Sequence, residues 1–127
     1  MFGGWDLKRP AKAVLTGAAH ISGGGIPEKL GRLLRASGFG AELDDPFTPC
    51  PLMLHCQELG NVADREAYRT WNMGQGMLLV SDQPDKVIAV AKSHSINAKV
   101  VGHITEKPGI RILNQGKFSK KERWLEF

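Results

Sequence analysis

The residues best suited to chemistry lie at positions 20–28, where a hydroxyl group and three consecutive glycines follow an apolar run. The segment contains His20, Ser22, Gly23, Gly24 and Gly25. Glycine adopts backbone angles that other residues avoid and lets a ligand approach the main chain. A helix behind such a loop presents unpaired N–H groups and a partial positive charge, which favours phosphate binding. A bare flexible turn is the alternative that this stretch alone leaves open.

A second glycine-bearing segment, residues 69–76, also lies between a predicted helix and a predicted strand. Its polar and glycine residues are Arg69, Thr70, Asn72, Gly74 and Gly76. If the two loops meet, Arg69 offers a fork for phosphate and Asn72 a donor and an acceptor. Alternatively, Arg69 pairs with Glu66 or Asp64 on its own helix, and Asn72 caps the helix end. The residues themselves do not decide between these interpretations.

Other reactive side chains give weaker indications. His20 adjoins the first glycine loop and suits a general base or a phosphate contact, although a hydrogen-bonded core histidine is the alternative. Cys50, His55 and Cys56 form a cluster, but a structural zinc site needs four ligands and no second pair exists. We therefore interpret the cysteines as buried thiols. We identify neither a catalytic residue set nor a metal site.

The elements that must position these loops follow from hydrophobic periodicity. The pattern predicts a strand at 13–21, a helix opened by Pro27, a strand at 40–44 and a helix at 52–59. A third helix runs to Trp71, with Asn61 and Asp64 capping it reciprocally. A strand at 77–80, a helix from Pro84, and strands at 98–105 and 110–113 complete the order. Such alternation predicts an α+β fold, a layered α/β/α domain with a mixed sheet.

Length and composition set the wider limits. The chain of 127 residues fits one domain, with 42% hydrophobic and 24% charged residues. No apolar run is long enough for a membrane helix, and we expect a cytoplasmic protein. The net charge of +4 arises in residues 107–127. This region is short for a nucleic-acid contact and is interrupted by Glu122, so we expect a solvated, partly mobile end and no nucleic-acid partner.

Two motifs resemble a known family. Residues 19–25, Ala-His-Ile-Ser-Gly-Gly-Gly, are similar to the Ala-His-Ile-Thr-Gly-Gly-Gly signature of aminoimidazole ribonucleotide (AIR) synthase, phosphoribosylformylglycinamidine cyclo-ligase. Gly-Asn-Val at 60–62 and Tyr-Arg-Thr-Trp-Asn-Met-Gly-Gln-Gly-Met at 68–77 resemble that enzyme's Gly-Asn-Val and Tyr-Arg-Thr-Phe-Asn-Met-Gly-x-Gly-Met. Ser22 keeps the threonine hydroxyl, whereas Pro49 and His55 stand where the family has tryptophans, which marks a divergent member.

The resemblance implies the C-terminal half of the enzyme, partly like a ferredoxin fold. It covers residues 13–113, with an N-terminal arm at 1–12 and a basic tail at 114–127. It implies that ATP and magnesium are held mainly by an N-terminal half not encoded here, so that catalysis needs an ATP-binding partner chain and the chain alone is inactive. A domain without that half is expected to expose apolar surface and to form a homodimer or larger assembly.

The implied function is to bind the small phosphorylated substrate of purine biosynthesis, formylglycinamidine ribonucleotide, during its ATP-dependent ring closure. We assign substrate and phosphate binding to the ten loop residues His20, Ser22, Gly23, Gly24, Gly25, Arg69, Thr70, Asn72, Gly74 and Gly76. The alternative is a non-catalytic module that keeps the fold and binds a phosphate ligand or associates with itself.

Overall fold

The computed structural model describes residues 10–127 of the chain. Most of the predicted arm at 1–12 lies outside these residues. The described chain divides into two compact units. The first comprises residues 10–18 with Leu79–Val100, and the second comprises Ala19–Leu78 with Val101–Phe127. Both glycine-bearing loops belong to the second unit.

The elements follow the predicted order, with one strand added at the end. They are β1 (Gly17–His20), α1 (Gly25–Arg35), β2 (Gly40–Leu43), α2 (Pro51–Leu59), α3 (Asp64–Thr70), β3 (Met77–Val80), α4 (Pro84–Lys92), β4 (His103–Thr105), β5 (Gly109–Leu113) and β6 (Trp124–Glu126). β1 and β3 form a two-stranded sheet. A mixed sheet of four strands in the order β4-β2-β5-β6 confirms the predicted α+β class.

The mixed sheet combines three kinds of neighbour. β2 lies between β4, which runs antiparallel to it, and β5, which runs parallel to it. β5 pairs with β6 in antiparallel fashion, with Ile112 opposite Leu125. Both of these side chains are fully buried. The expectation of a solvated, mobile end is therefore wrong for β6, because its central side chain belongs to the core.

The core of the second unit forms where α1 meets β2, β5 and α3. Ile26, Leu30 and Leu34 recur at helical spacing on α1 and are all buried, as their period predicts. Ala67 and Tyr68 of α3 are fully buried in the same cluster. This packing fixes the N-terminus of α1 beside the C-terminus of α3, which are the ends that carry the two loops.

Two predictions about helix N-termini need correction. α1 begins at Gly25 rather than at Pro27, since Gly24 already serves as its N-cap in a left-handed conformation. α3 has Ala63 as its N-cap without a side-chain cap, so the capping pair of Asn61 and Asp64 is absent. The Asp64 carboxylate instead accepts hydrogen bonds from outside its helix.

The predicted strand at 98–105 is also shorter than expected, since only His103–Thr105 pairs with β2. Before this strand, the Val101 carbonyl accepts a 3.1 Å bond from the Asp45 N–H, outside the ladder. Gly102 approaches the β2 main chain so closely that a Cβ atom there would lie 2.0 Å from the Glu42 carbonyl oxygen. Among residues 10–127, no helix is both long enough and apolar enough to span a membrane.

Candidate functional site

The first glycine loop has the geometry that its sequence predicts. β1 ends at His20, and the Gly25 N–H then donates a 2.9 Å hydrogen bond to the Ser22 carbonyl, which closes a tight turn. Gly24 and Gly25 have φ values of 93° and 61°, in the left-handed region that favours glycine. Ser22 and Gly23 are exposed at the tip of the turn. A strand, a glycine loop and a helix therefore follow one another as expected.

Glu28 occupies space beside this loop, which the motif did not predict. A Cβ atom built at Gly24 would lie 1.7 Å from the Glu28 carboxylate oxygen Oε2. The other oxygen, Oε1, lies 3.2 Å from the Lys29 ammonium and 3.8 Å from the Arg32 guanidinium. The only sequence indication was an acidic residue in a first helical turn, where the helix dipole favours it. An anion at the loop therefore requires the half-exposed Glu28 side chain to turn away.

The two glycine-bearing loops lie side by side. Gly25 approaches the C-terminus of α3, where a Cβ atom would lie 1.9 Å from the Tyr68 carbonyl oxygen and 3.0 Å from that of Trp71. After β1, the Ile21 N–H donates a 3.0 Å hydrogen bond to the Gly76 carbonyl. Two main-chain contacts thus connect the loops at opposite ends of the second segment. The juxtaposition required for a shared binding surface is present.

Within the second loop, much of the polar character is used locally. The Asn72 carboxamide oxygen accepts a 3.1 Å bond from the Gly74 N–H, while the Thr70 hydroxyl lies 3.3 Å from the Glu66 carboxylate. Gly74 has φ 90°, and a Cβ atom there would lie 2.8 Å from the Phe47 carbonyl oxygen. Asn72 therefore organises its own turn. Gly74 is required by its backbone conformation and by close packing.

Arg69 is the residue of this segment that keeps a free charged group. It is exposed, and its guanidinium carbon lies 5.7 Å from the centroid of the Phe127 ring. The alternative pairing with Asp64 or Glu66 does not occur, and no carboxylate in the described part of the chain pairs with Arg69. Phe127 is a neighbour that the sequence could not indicate, because 58 positions separate the two residues and no local pattern connects them.

His20 and the two cysteines are more exposed than a core position would allow. His20 is exposed, so the interpretation as a core histidine is wrong. Cys50 and Cys56 are free and exposed, which contradicts the interpretation as buried thiols. Within residues 10–127, no group of three or more histidine, cysteine or acidic side chains is arranged to hold a metal ion.

Taken together, the first loop and Arg69 provide main-chain turns, one hydroxyl group, one imidazole and one guanidinium on neighbouring segments. These are groups that bind and orient an anion. Among the described side chains of the two loops, the one hydroxyl group that contacts a carboxylate is that of Thr70, 3.3 Å from the exposed Glu66 side chain. The groups on these neighbouring segments are thus suited to holding an anion.

Comparison with known proteins gives a consistent result. Residues 6–113 match the family described as AIR synthase related protein, C-terminal domain. A phosphoribosylformylglycinamidine cyclo-ligase of Methanopyrus kandleri is 41% identical over 115 residues, which cover 85% of this chain and 32% of that protein. The enzymes of the same name from Methanococcoides burtonii and Methanocaldococcus jannaschii are 41% and 39% identical over 76% and 80% of the chain.

The chain spans 32% or less of the length of these three relatives. The matched region includes both glycine-bearing loops and all secondary-structure elements from β1 to β5. Because this match covers most of the sequence, the chain belongs to the AIR synthase-related family and corresponds to its C-terminal domain.

Proposed function

We propose that this chain is the substrate-side domain of an AIR synthase-like enzyme of purine biosynthesis and binds a phosphorylated ribonucleotide. The observation that carries the proposal is the juxtaposition of the two family motifs, with Gly25 against the Tyr68 carbonyl and Ile21 hydrogen-bonded to Gly76. Binding would involve His20, the Ser22–Gly25 turn and the polar and glycine residues of the second loop. The named activity of the relatives supports this substrate class.

Within the proposed site, residues differ in what they contribute. Arg69 supplies an uncompensated positive charge, and Ser22 supplies an exposed hydroxyl group close to the start of α1. Asn72, Gly74 and Gly76 shape the main chain of the second loop rather than present free polar groups. Glu28 opposes an anion at the first loop in its present position. Phosphate binding is therefore expected to exchange one negative charge for another at the N-terminus of α1.

The proposed reaction is the ATP-dependent ring closure of formylglycinamidine ribonucleotide. ATP would supply the phosphoryl group that activates the formyl oxygen, after which a substrate nitrogen attacks, the imidazole ring closes and inorganic phosphate leaves. The contribution of this chain is to hold the substrate phosphate and restrict its orientation. Arg69 would also favour ring closure by neutralising negative charge on the bound substrate.

We further propose that ATP and magnesium are held mainly by a separate ATP-binding partner chain. The named activity of the relatives supports an ATP site outside the matched region, which makes up a third or less of their length. The direct experiment is turnover of formylglycinamidine ribonucleotide with ATP and magnesium, with and without that partner. We expect no turnover by the 127-residue chain alone. Robust product formation by the purified chain would contradict the need for a partner.

The loop is tested by binding a ribonucleotide phosphate to two variants. Ser22→Ala should weaken binding by about one hydrogen bond, or ~1 kcal/mol, with a nearly unchanged melting temperature. Gly24→Val should abolish binding, because its side chain blocks the approach and its φ of 93° is unfavourable for a branched residue. Melting temperatures of both variants show whether the fold survives. Equal binding by both folded variants and the parent would exclude the loop as the site.

The alternative function is a non-catalytic module that associates with itself. Exposed apolar side chains favour it, since Leu52 and Leu59 of α2 are 70% and 75% exposed and Met77 is 58% exposed. These exposed side chains also support a homodimer for an active domain. A dimeric mass in light scattering at ~100 μM is expected, because even weak dimers form at that concentration. A strictly monomeric mass would contradict self-association.

A further inference from the structure

A cavity of about 430 Å³ lies within the second unit and is lined by residues of α1 and β5. Gly31 and Leu34 of α1 and Ile110 of β5 form its apolar wall. Pro27 and Pro108 contribute further apolar surface. The volume falls within the range of roughly 300–1,000 Å³ that is typical of small-molecule sites. None of the three loop glycines at positions 23–25 lines this cavity, although Pro27 of the first segment and Arg69 of the second do.

Gly31 borders the cavity, and close packing does not require a glycine at this position. A Cβ atom at this position would lie 3.5 Å from the Ile110 Cδ1 atom, an ordinary van der Waals contact. Its φ is not positive, so the backbone does not require glycine either. A glycine in a helix interior is less favourable than alanine. The missing side chain therefore preserves space that any larger residue would fill.

The cavity has a positive mouth. Its lining includes Arg35 and Arg69 and contains no acidic side chain. Neither of these arginines pairs with a carboxylate among residues 10–127, whereas Arg32, Arg65 and Arg111 all do. Two unpaired guanidinium groups beside one cavity favour an anion, and a phosphate or carboxylate group matches their planar donors.

Two aromatic rings accompany these charges. Phe39 lines the cavity with 48% of its surface exposed, and Phe127 lines it beneath the Arg69 guanidinium. Phe39 is placed by Gly38, whose φ of 72° turns the chain sharply after α1. An exposed phenylalanine beside an apolar cavity provides a face on which a flat ring can stack. Charge and apolar surface are thus combined around one space.

From these features we propose that the cavity binds a small anion that carries an aromatic ring. The ring would lie among Phe39, Phe127 and the wall at Gly31, while the anionic group would contact Arg35 and Arg69. A nucleoside monophosphate and an aromatic carboxylate share this chemistry. Arg69 is shared with the proposed phosphate site, whereas Arg35, Phe39 and Gly31 take no part in the glycine loop, so variants of these three residues distinguish the two sites.

The experiment is calorimetric titration with adenosine 5′-monophosphate as the probe. Adenosine tests the ring without the anion, ribose 5-phosphate tests the anion without the ring, and benzoate tests an aromatic carboxylate. We expect adenosine and ribose 5-phosphate each to bind at least about tenfold more weakly than a ligand that has both parts, since each loses one set of contacts. Binding of either the monophosphate or benzoate supports the cavity and identifies its preferred anion.

Variants of α1 locate the ligand. Arg35→Gln should weaken binding about tenfold, whereas Arg32→Gln, one turn away and outside the cavity, should leave it unchanged. Gly31→Leu should abolish binding by filling the space. Gly31→Ala provides a milder change, because its methyl group has room, and should reduce binding while the melting temperature is retained. Melting curves of all four variants establish that each is folded.

Two results would overturn the proposal. The first is equal affinity of Arg35→Gln and Arg32→Gln for a ligand that the parent binds. The second is no detectable binding of either aromatic anion to the parent. A probe that is lost in Gly24→Val but retained in Arg35→Gln and Gly31→Leu binds at the glycine loop, which would reject the cavity while supporting the proposed function. Loss in Arg35→Gln with retention in Gly24→Val would support the cavity alone.

Discussion

The Asp64 carboxylate accepts a 2.8 Å hydrogen bond from the Asn114 side-chain amide, although 50 positions separate the two residues. Asp64 also accepts bonds from the Gln57 amide and the Phe118 N–H. Asp64 is only 7% exposed, so these bonds replace water around a buried charge. They connect the start of α3 to the end of α2 and to the segment that follows β5. Asp64 therefore stabilises tertiary structure rather than a helix terminus.

We predict that Asp64→Ala lowers the free energy of unfolding by about 3 kcal/mol, because it leaves several buried donors without an acceptor. Asp64→Asn keeps one acceptor oxygen but points an amide group at other donors, so it should also destabilise the fold. Urea unfolding measures both effects. Asp44→Ala, at an exposed position, is the matched control and should change stability by less than about 0.5 kcal/mol. Similar losses for Asp44→Ala and Asp64→Ala would contradict the assigned role.

Asp64 illustrates the difference between what local sequence patterns predict and what they do not. Periodicity gave the type and order of the elements from β1 to β5, because local spacing decides which residues face a core. The spacing of Asn61 and Asp64 also suggested a cap, but the actual partners of Asp64 lie on other elements. β6 was missed for the same reason, since three residues within a basic segment become a strand only through pairing with β5. Long-range partners leave no local signal.

The candidate site also combines features that local sequence predicts with features that depend on long-range contacts. The glycine loop was predictable because consecutive glycines between a strand and a helix permit the left-handed φ values that Gly24 and Gly25 adopt. The contact between Arg69 and Phe127 was not predictable, because it depends on the long-range strand pairing of the mixed sheet. The position of the Glu28 carboxylate over Gly24 likewise depends on side-chain conformation, which helix periodicity does not specify.

Gly25 and Gly23 provide a matched pair for the next prediction. Gly25→Ala should lower the free energy of unfolding by at least about 2 kcal/mol, since a left-handed φ is unfavourable for alanine and its methyl group would collide with the Tyr68 carbonyl. Gly23→Ala adds the same methyl group where no atom lies within 4 Å. That variant should remain within about 0.5 kcal/mol of the parent. Thermal and urea unfolding compare the two, and equal stability would disprove close contact between α1 and α3.

Arg111 supports the next prediction because it connects three strands of the mixed sheet. Its guanidinium lies 4.0 Å from the centroid of the Trp124 ring, and its Nη1 atom lies 2.8 Å from a Glu42 carboxylate oxygen. Arg111→Lys keeps the charge but loses the planar group that stacks on the ring. We expect a loss of about 1 kcal/mol in urea unfolding. Arg123→Lys, at an exposed position, is the control, and an equal effect of both changes would exclude a specific role for the stack.

The buried phenol of Tyr68 predicts the response of the fold to alkaline pH. Burial raises the pKa of Tyr68 from 10.0 to about 12, while a hydrogen bond from the Gln115 N–H acts in the opposite direction and the nearby Asp64 charge raises it further. The raised value means that the folded state retains the proton after the unfolded state has lost it. The contribution is complete below pH 10 and is lost as the pH rises to about 12.

Stability should therefore fall by an amount on the order of 3 kcal/mol across this interval. The sequence contains one tyrosine, so phenolate absorbance reports the titration of Tyr68 alone. Urea unfolding at a series of alkaline pH values gives the accompanying change in stability. Tyr68→Phe should be less stable at neutral pH, because the Gln115 N–H loses its acceptor, but should lack this part of the alkaline decline. A parent protein whose phenolate appears at pH 10 while it is still folded would contradict the burial of this group.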